Sequence, residues 1–199
     1  MRKTKKKNFF FKSNYLQSWS YLKESKNFIY FIIAIFFFFA FIGFFVSAPA
    51  LIEEQILNFI KELIKKTEGM SQLELINFIF LNNLQSSFFG FVFGVFLGLF
   101  PLIAVTFNGY ILGFVASLSV KNGGVLTLWR IFPHGIFELP AVFISLGLGL
   151  KFGTFIFQKK KLKFLSYCFF NSLRVFLFIV IPLLLIAAFI EGTLIFLYS

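Results

Sequence analysis

The chain has 199 residues, 59% of them hydrophobic and 22% aromatic, with 19 basic and 8 acidic side chains and a net charge of +11. Soluble domains average about 45–50% apolar residues, so an ordinary soluble globular domain is excluded. The basic residues cluster beside apolar runs, which ties the charge to lipid headgroups and membrane topology and not to nucleic acid. Thirty-six residues are Phe; with abundant Lys, Ile and Asn this is what an AT-rich genome encodes, so runs such as Phe36-Phe37-Phe38-Phe39 need no aromatic-specific function. The single cysteine, Cys168, rules out an intramolecular disulfide. Among Tyr167, Phe169 and Phe170 it reads as a small packing residue, with palmitoylation as the alternative.

Residues 1–27 form a basic arm. Arg2, Lys3, Lys5, Lys6, Lys7, Lys12, Lys23 and Lys26 stand against Glu24 alone, interleaved with Phe9, Phe10, Phe11, Tyr15, Trp19 and Tyr21. That mixture suits an interfacial segment on an anionic leaflet. Residues 28–199 read as one transmembrane domain. The apolar run over 28–47 is long enough to span and too long for the core of a signal peptide.

Pro49 opens a different helix. Over 51–66, Ile52, Ile56, Phe59, Ile60 and Leu63 make one stripe, with Glu53, Glu54, Lys61, Glu62 and Lys65 opposite. This is an amphipathic helix outside the hydrocarbon. Gly69 and Ser71 end it. A second span is predicted over 74–99, carrying Asn82-Asn83 and Gly90, Gly94 and Gly98. Pro101 interrupts, and a third span covers 102–119 with Asn108, Gly109 and Gly113. Lys121-Asn122-Gly123-Gly124 is a turn, and 125–133 is too short to cross alone. The fourth span continues to about 152. A basic loop with Lys159, Lys160, Lys161 and Lys163 leads to the fifth, over about 170–190 and on to the C-terminus, kinked at Pro182. The expected fold is therefore an all-α polytopic bundle of about five transmembrane helices, with a broken helix near 125–140.

The arm and the loop after the fourth span, with Lys151, outweigh Lys61, Lys65, Lys66, Lys121 and Arg130 on the other side. The expected placement is a cell (plasma) membrane, with the N-terminus cytoplasmic and the C-terminus outside. Glycines at spacing four (Gly90, Gly94, Gly98; Gly109, Gly113; Gly149, Gly153) allow close helix approach. The reading is packing within the chain, with a homo-oligomer face as the alternative. Asn82, Asn83 and Asn108 need hydrogen-bond partners, and the broken backbone near 133–140 is one use for them. Arg174, near the start of the fifth span, can reach the headgroups.

The densest chemistry lies in Pro133-His134-Gly135-Ile136-Phe137-Glu138-Leu139-Pro140, which holds the only histidine. His134 and Glu138 share a helix face at i, i+4, and Pro133 suits a helix start. Ionisable groups and helix breakers within apolar sequence mark a functional or paired site, and broken helices build transporter sites. One His and one Glu fall short of a zinc ligand set, so no metal or cofactor is expected. No nucleophile and base are brought together, so no catalytic residues are assigned. A proton relay and a pair that fixes backbone and register both remain as readings.

These residues together resemble the stage II sporulation protein M family. The resemblance rests on Asn82-Asn83, the glycine-rich helix after it, and Asn108-Gly109 with Gly113. Above all it rests on Pro133-His134-Gly135-x-Phe137-Glu138-Leu139-Pro140-Ala141, continuing through Gly147 to Gly149-Leu150-Lys151-x-Gly153. It covers roughly 28–198. The resemblance implies a multi-pass membrane protein without catalytic activity, which in spore-formers anchors a complex of cell-wall hydrolases. The implied partners are the lipid bilayer and other membrane or envelope proteins. The competing function is a small ion- or solute-translocating protein using His134 and Glu138.

Overall fold

A computed structural model describes the backbone of residues 2–46, 48–130 and 132–198, and the side chains of 11–46, 48–128 and 135–197. Every described element is helical. The order is α1 (Arg2–Phe45), α2 (Ala50–Thr67), α3 (Gln72–Val92), a 3₁₀ turn (Phe93–Val95), α4 (Leu99–Gly123), a 3₁₀ segment (Val125–Arg130) and α5 (Phe132–Gly153). A further 3₁₀ turn (Thr154–Phe157), α6 (Lys161–Val175), a π segment (Phe176–Val180) and α7 (Ile181–Tyr198) complete it. Among the described residues, five helical stretches are long and apolar enough to cross a membrane.

The first helix does not begin at residue 28. Helix α1 runs unbroken from Arg2, because the arm carries a buried helical stripe of its own. Ser18, Tyr21, Leu22 and Ser25 are buried, and Ile32 and Phe36 continue the same face. Ser18 and Ser25 turn their hydroxyls back onto the carbonyls of Asn14 and Tyr21, at 2.9 and 2.8 Å, so small polar residues enter the core without orphaned donors. Lys12, Lys23 and Lys26 stay on the exposed side.

Pro49 precedes α2 as expected. Only Ile56 of its stripe is buried; Ile52 and Phe59 are 43% and 46% exposed. Helix α3 opens where Glu74 reaches back to accept from the Ser71 amide at 2.8 Å and its hydroxyl at 2.7 Å. The second span ends before 99. It tightens at Phe93–Val95, and the chain reverses through Leu97 and Gly98, with φ of 57° and 72°. Two successive left-handed residues stop a helix, and at Leu97 the side chain makes that conformation costly. Pro101 does not cause the break; it sits in the first turn of α4, where it fits. Likewise Pro140 lies inside a continuous α5. The irregular backbone near 125–140 is confined to the 3₁₀ segment ahead of that helix. The expected irregularity at Pro182 takes the form of the π segment just before it, where the ladder loosens. Helices α6 and α7 thus make one membrane-length stretch.

Helix α5 is the hub, packing on α1, α3, α4, α6 and α7. Over half of its most apolar window is buried, 56%, against 17% for α1. Its small residues allow this. A Cβ added at Gly94 would strike the backbone of Gly149, one at Gly149 the carbonyl of Gly90, and one at Gly153 the Gly98 amide. Helices α1 and α4 meet the same way. Gly109 abuts the Phe36 carbonyl, Gly113 the Ala40 carbonyl, and Gly43 the Tyr110 carbonyl.

Gly149→Val should therefore destabilise the bundle by at least about 2 kcal/mol, because backbone and not a movable side chain fills the space. Gly135→Ala meets only the tip of Leu139, at 3.2 Å, and should be tolerated. Thermal unfolding of the two variants in detergent checks the contrast.

Candidate functional site

The Pro-His-Gly motif opens α5. Glu138 is the seventh residue of that helix, about 9 Å from its start at 1.5 Å per residue. The motif thus lies toward the end of a membrane-length helix, not at its middle. Pro133 and His134 are helical in backbone, but the predicted pairing of His134 with Glu138 lies outside the described side chains. Gly135, Glu138 and Pro140 are half-buried.

The predicted amides do not converge on this motif. Asn82 and Asn108 are exposed and Asn83 is half-buried, and none makes a side-chain hydrogen bond to a described residue. Gly90, Gly94 and Gly98 face Leu146, Gly149 and Leu150 of α5, while Gly109 and Gly113 face α1.

The most developed polar cluster lies at the opposite end of α5. The last turn of that helix carries Lys151 into the interior, where it is 4% exposed. Its Nζ donates to Glu24 Oε1 at 2.8 Å and to Ser25 Oγ at 3.0 Å, and lies 4.0 Å from the centre of the Tyr21 ring. Tyr167 of α6 donates its hydroxyl to Glu24 Oε2 at 2.8 Å. Ser172 Oγ lies 3.5 Å from the Tyr21 hydroxyl, and the free thiol of Cys168 is fully buried close by. One turn further, Arg174 donates to Asn14 Oδ1 at 2.9 Å and to Asn171 Oδ1 at 2.8 Å. Arg174 therefore does not reach for headgroups; it ties α6 to α1.

Each part follows from local structure. Tyr21, Glu24 and Ser25 share one face of α1 at i, i+3 and i+4. An ammonium taken out of water needs a counter-charge and hydrogen bonds, and α1 supplies the carboxylate, a hydroxyl and an aromatic face. The bonds of Lys151 to Glu24 and Ser25 and of Tyr167 to Glu24 all cross between helices, so the cluster stitches α1, α5 and α6. Among the described residues no group of three or more His, Cys, Asp or Glu side chains gathers to hold a metal. From sequence, Glu24 falls in the arm and Lys151 in a basic loop. One signal was available for Lys151 alone: it is a single charge within a helical apolar run.

The family model for Stage II sporulation protein M matches residues 32–194. That range takes in the glycine contacts, the Pro-His-Gly motif and Lys151. An uncharacterized protein of Methanocaldococcus jannaschii is 29% identical over 148 residues, which cover 68% of this chain and 62% of that protein. The chain thus spans less than two thirds of that relative's length. No solved structure matches it.

The side chains of Lys151 and Glu24 are 6% and 48% exposed, which makes their loss unequal. Glu24→Gln strands a buried ammonium and should cost a few kcal/mol, toward the 3–5 typical of breaking a buried pair. Lys151→Met leaves a carboxylate that water and Tyr167 still solvate, so it should cost less. The double variant should recover most of the Glu24→Gln loss. Melting temperatures of the three proteins in one detergent test this order.

Proposed function

Because the chain belongs to the stage II sporulation protein M family, we propose that it is a scaffold or anchor for a membrane-associated complex and not an enzyme. That family is not a known enzyme family. In sporulating relatives the corresponding complex contains cell-wall hydrolases, and proteins of that envelope type are the partners proposed here. The proposed setting is the plasma membrane, with the N-terminus in the cytoplasm and the C-terminus outside. The excess of Lys and Arg in the arm and in the loop after α5 supports that orientation.

The single observation that carries the scaffold reading is α2. It is an amphipathic helix held between two membrane-length helices, and it packs closely on none of them. Its stripe is open at Ile52 and Phe59, and Leu51 and Ile64 beside it are 68% and 61% exposed. An apolar helix face held at the membrane boundary is a recognition element for a partner groove. The interior favours the same reading. Where α3 meets α5 and α1 meets α4, backbone touches backbone, which leaves no room for a solute between them.

Crosslinking in native membranes followed by capture of the full-length chain tests this. Wild type should recover a defined protein partner. Phe59→Glu should reduce its recovery about tenfold or more, as for loss of a buried aromatic anchor, while membrane insertion is retained. A pH-dependent ion flux in proteoliposomes that Glu138→Gln abolishes without unfolding would instead establish translocation and overturn the scaffold reading.

A further inference from the structure

Helix α3 carries a second uncovered face, and this one lies within a membrane-length helix. Asn77, Asn82 and Gln85 are all exposed. With Glu74, Leu81, Phe78 and Met70 they line a shallow groove of about 400 Å³. Asn82 and Gln85 stand ten and thirteen residues beyond Gln72, about 15 and 20 Å along the helix at 1.5 Å per residue. The hydrocarbon of a bilayer is roughly 30 Å thick, so with the start of α3 at its boundary both amides would sit near its middle. Neither makes a hydrogen bond to a described residue. Lipid offers no donor or acceptor, so a primary amide left facing it is costly. The groove's one carboxylate, Glu74, is already held by Ser71 at the helix start.

We propose that this amide face of α3 is the contact between two copies of the chain, related by a two-fold axis. The chemistry selects the occupant. A carboxamide carries donors and an acceptor in the same group and has no charge, so its best complement is another carboxamide. Across a two-fold axis Asn82 of one copy meets Gln85 of the other, and Gln85 meets Asn82, so one pair of residues satisfies both copies. Leu81, Phe88 and Phe89, which are 44%, 36% and 43% exposed, supply the surrounding apolar contact. The glycine faces that ordinarily bring membrane helices together are already occupied within the chain. Association through α3 therefore uses a surface that folding leaves untouched.

The test uses the full-length chain in native membranes and in liposomes. A cysteine placed at Leu81 (Leu81→Cys) should crosslink to a species of twice the chain mass. Ile103→Cys, at a position on α4 that is 68% exposed, should not. Cys168 is buried and stays in place, and the unsubstituted chain controls for it. Single-molecule photobleaching in liposomes should show two-step traces for the wild type. In Asn82→Leu/Gln85→Leu, dimerisation should weaken by on the order of ten- to a hundredfold, the range of a few interhelical hydrogen bonds. Melting of the detergent-solubilised monomer should not fall, because apolar side chains suit a lipid-facing position; a structural role in the monomer would lower it. The proposal is overturned if Leu81→Cys crosslinks no more than Ile103→Cys, or only to a chain of different mass. It is equally overturned if the double leucine variant dimerises like the wild type.

Discussion

The bundle depends on backbone meeting backbone at Gly94 and Gly149. Within a bilayer, burying a leucine between helices gains little over leaving it in lipid, so association relies on close contact and polar bonds. The contact of α3 with α5 supplies the first of these. Once Gly90, Gly94 and Gly98 sit against Gly149 and Gly153, α5 is held deep enough to touch every other membrane-length stretch. The left-handed turn at Leu97 and Gly98 then places α4 beside α5, with Pro101 packed on Gly149. The second glycine set, Gly43 with Gly109 and Gly113, brings α1 onto α4 from the far side.

Glycine contact determines how closely helices approach, but it does not choose which ends are aligned. The Lys151–Glu24 pair does that. A helix sliding by one residue along α1 would separate the ammonium from its carboxylate, from Ser25 and from the Tyr21 ring together, and strand a charge that is almost fully buried. The pair need not add net stability to set register, since misaligned states are penalised more heavily than the aligned state is favoured. Tyr167 and Arg174 extend the same logic to α6, so one end of the bundle is fastened across three helices.

Much of this was legible in the sequence. The five membrane-length stretches, the amphipathic helix at Ala50–Thr67 and the glycine spacing all follow from period and composition, which are local properties. What escaped was relational. The first 27 residues read as a surface arm because their charge is conspicuous, while their buried stripe is made of Ser18, Tyr21, Leu22 and Ser25, which no hydropathy pattern flags. Lys151 and Glu24 are separated by 126 residues, and nothing near either names the other. One proline misleads in the opposite direction. Pro101 reads as a break yet fits a first turn, whereas Leu97, with no breaker signature, sits at the reversal between α3 and α4. The Pro-His-Gly motif falls at a helix start, as Pro133 predicts, and its place along the span follows from the length of α5.

The two ends of the bundle are consequently unlike. The end with Lys151, Arg174 and the Leu97–Gly98 reversal is bonded across helices and closely packed. The end with α2, the Val125–Arg130 segment and the start of α5 is joined by short irregular connections, and α2 keeps its apolar face uncovered. A partner seated on α2 gains most if it can order that end, while the fastened end keeps α1, α5 and α6 in register.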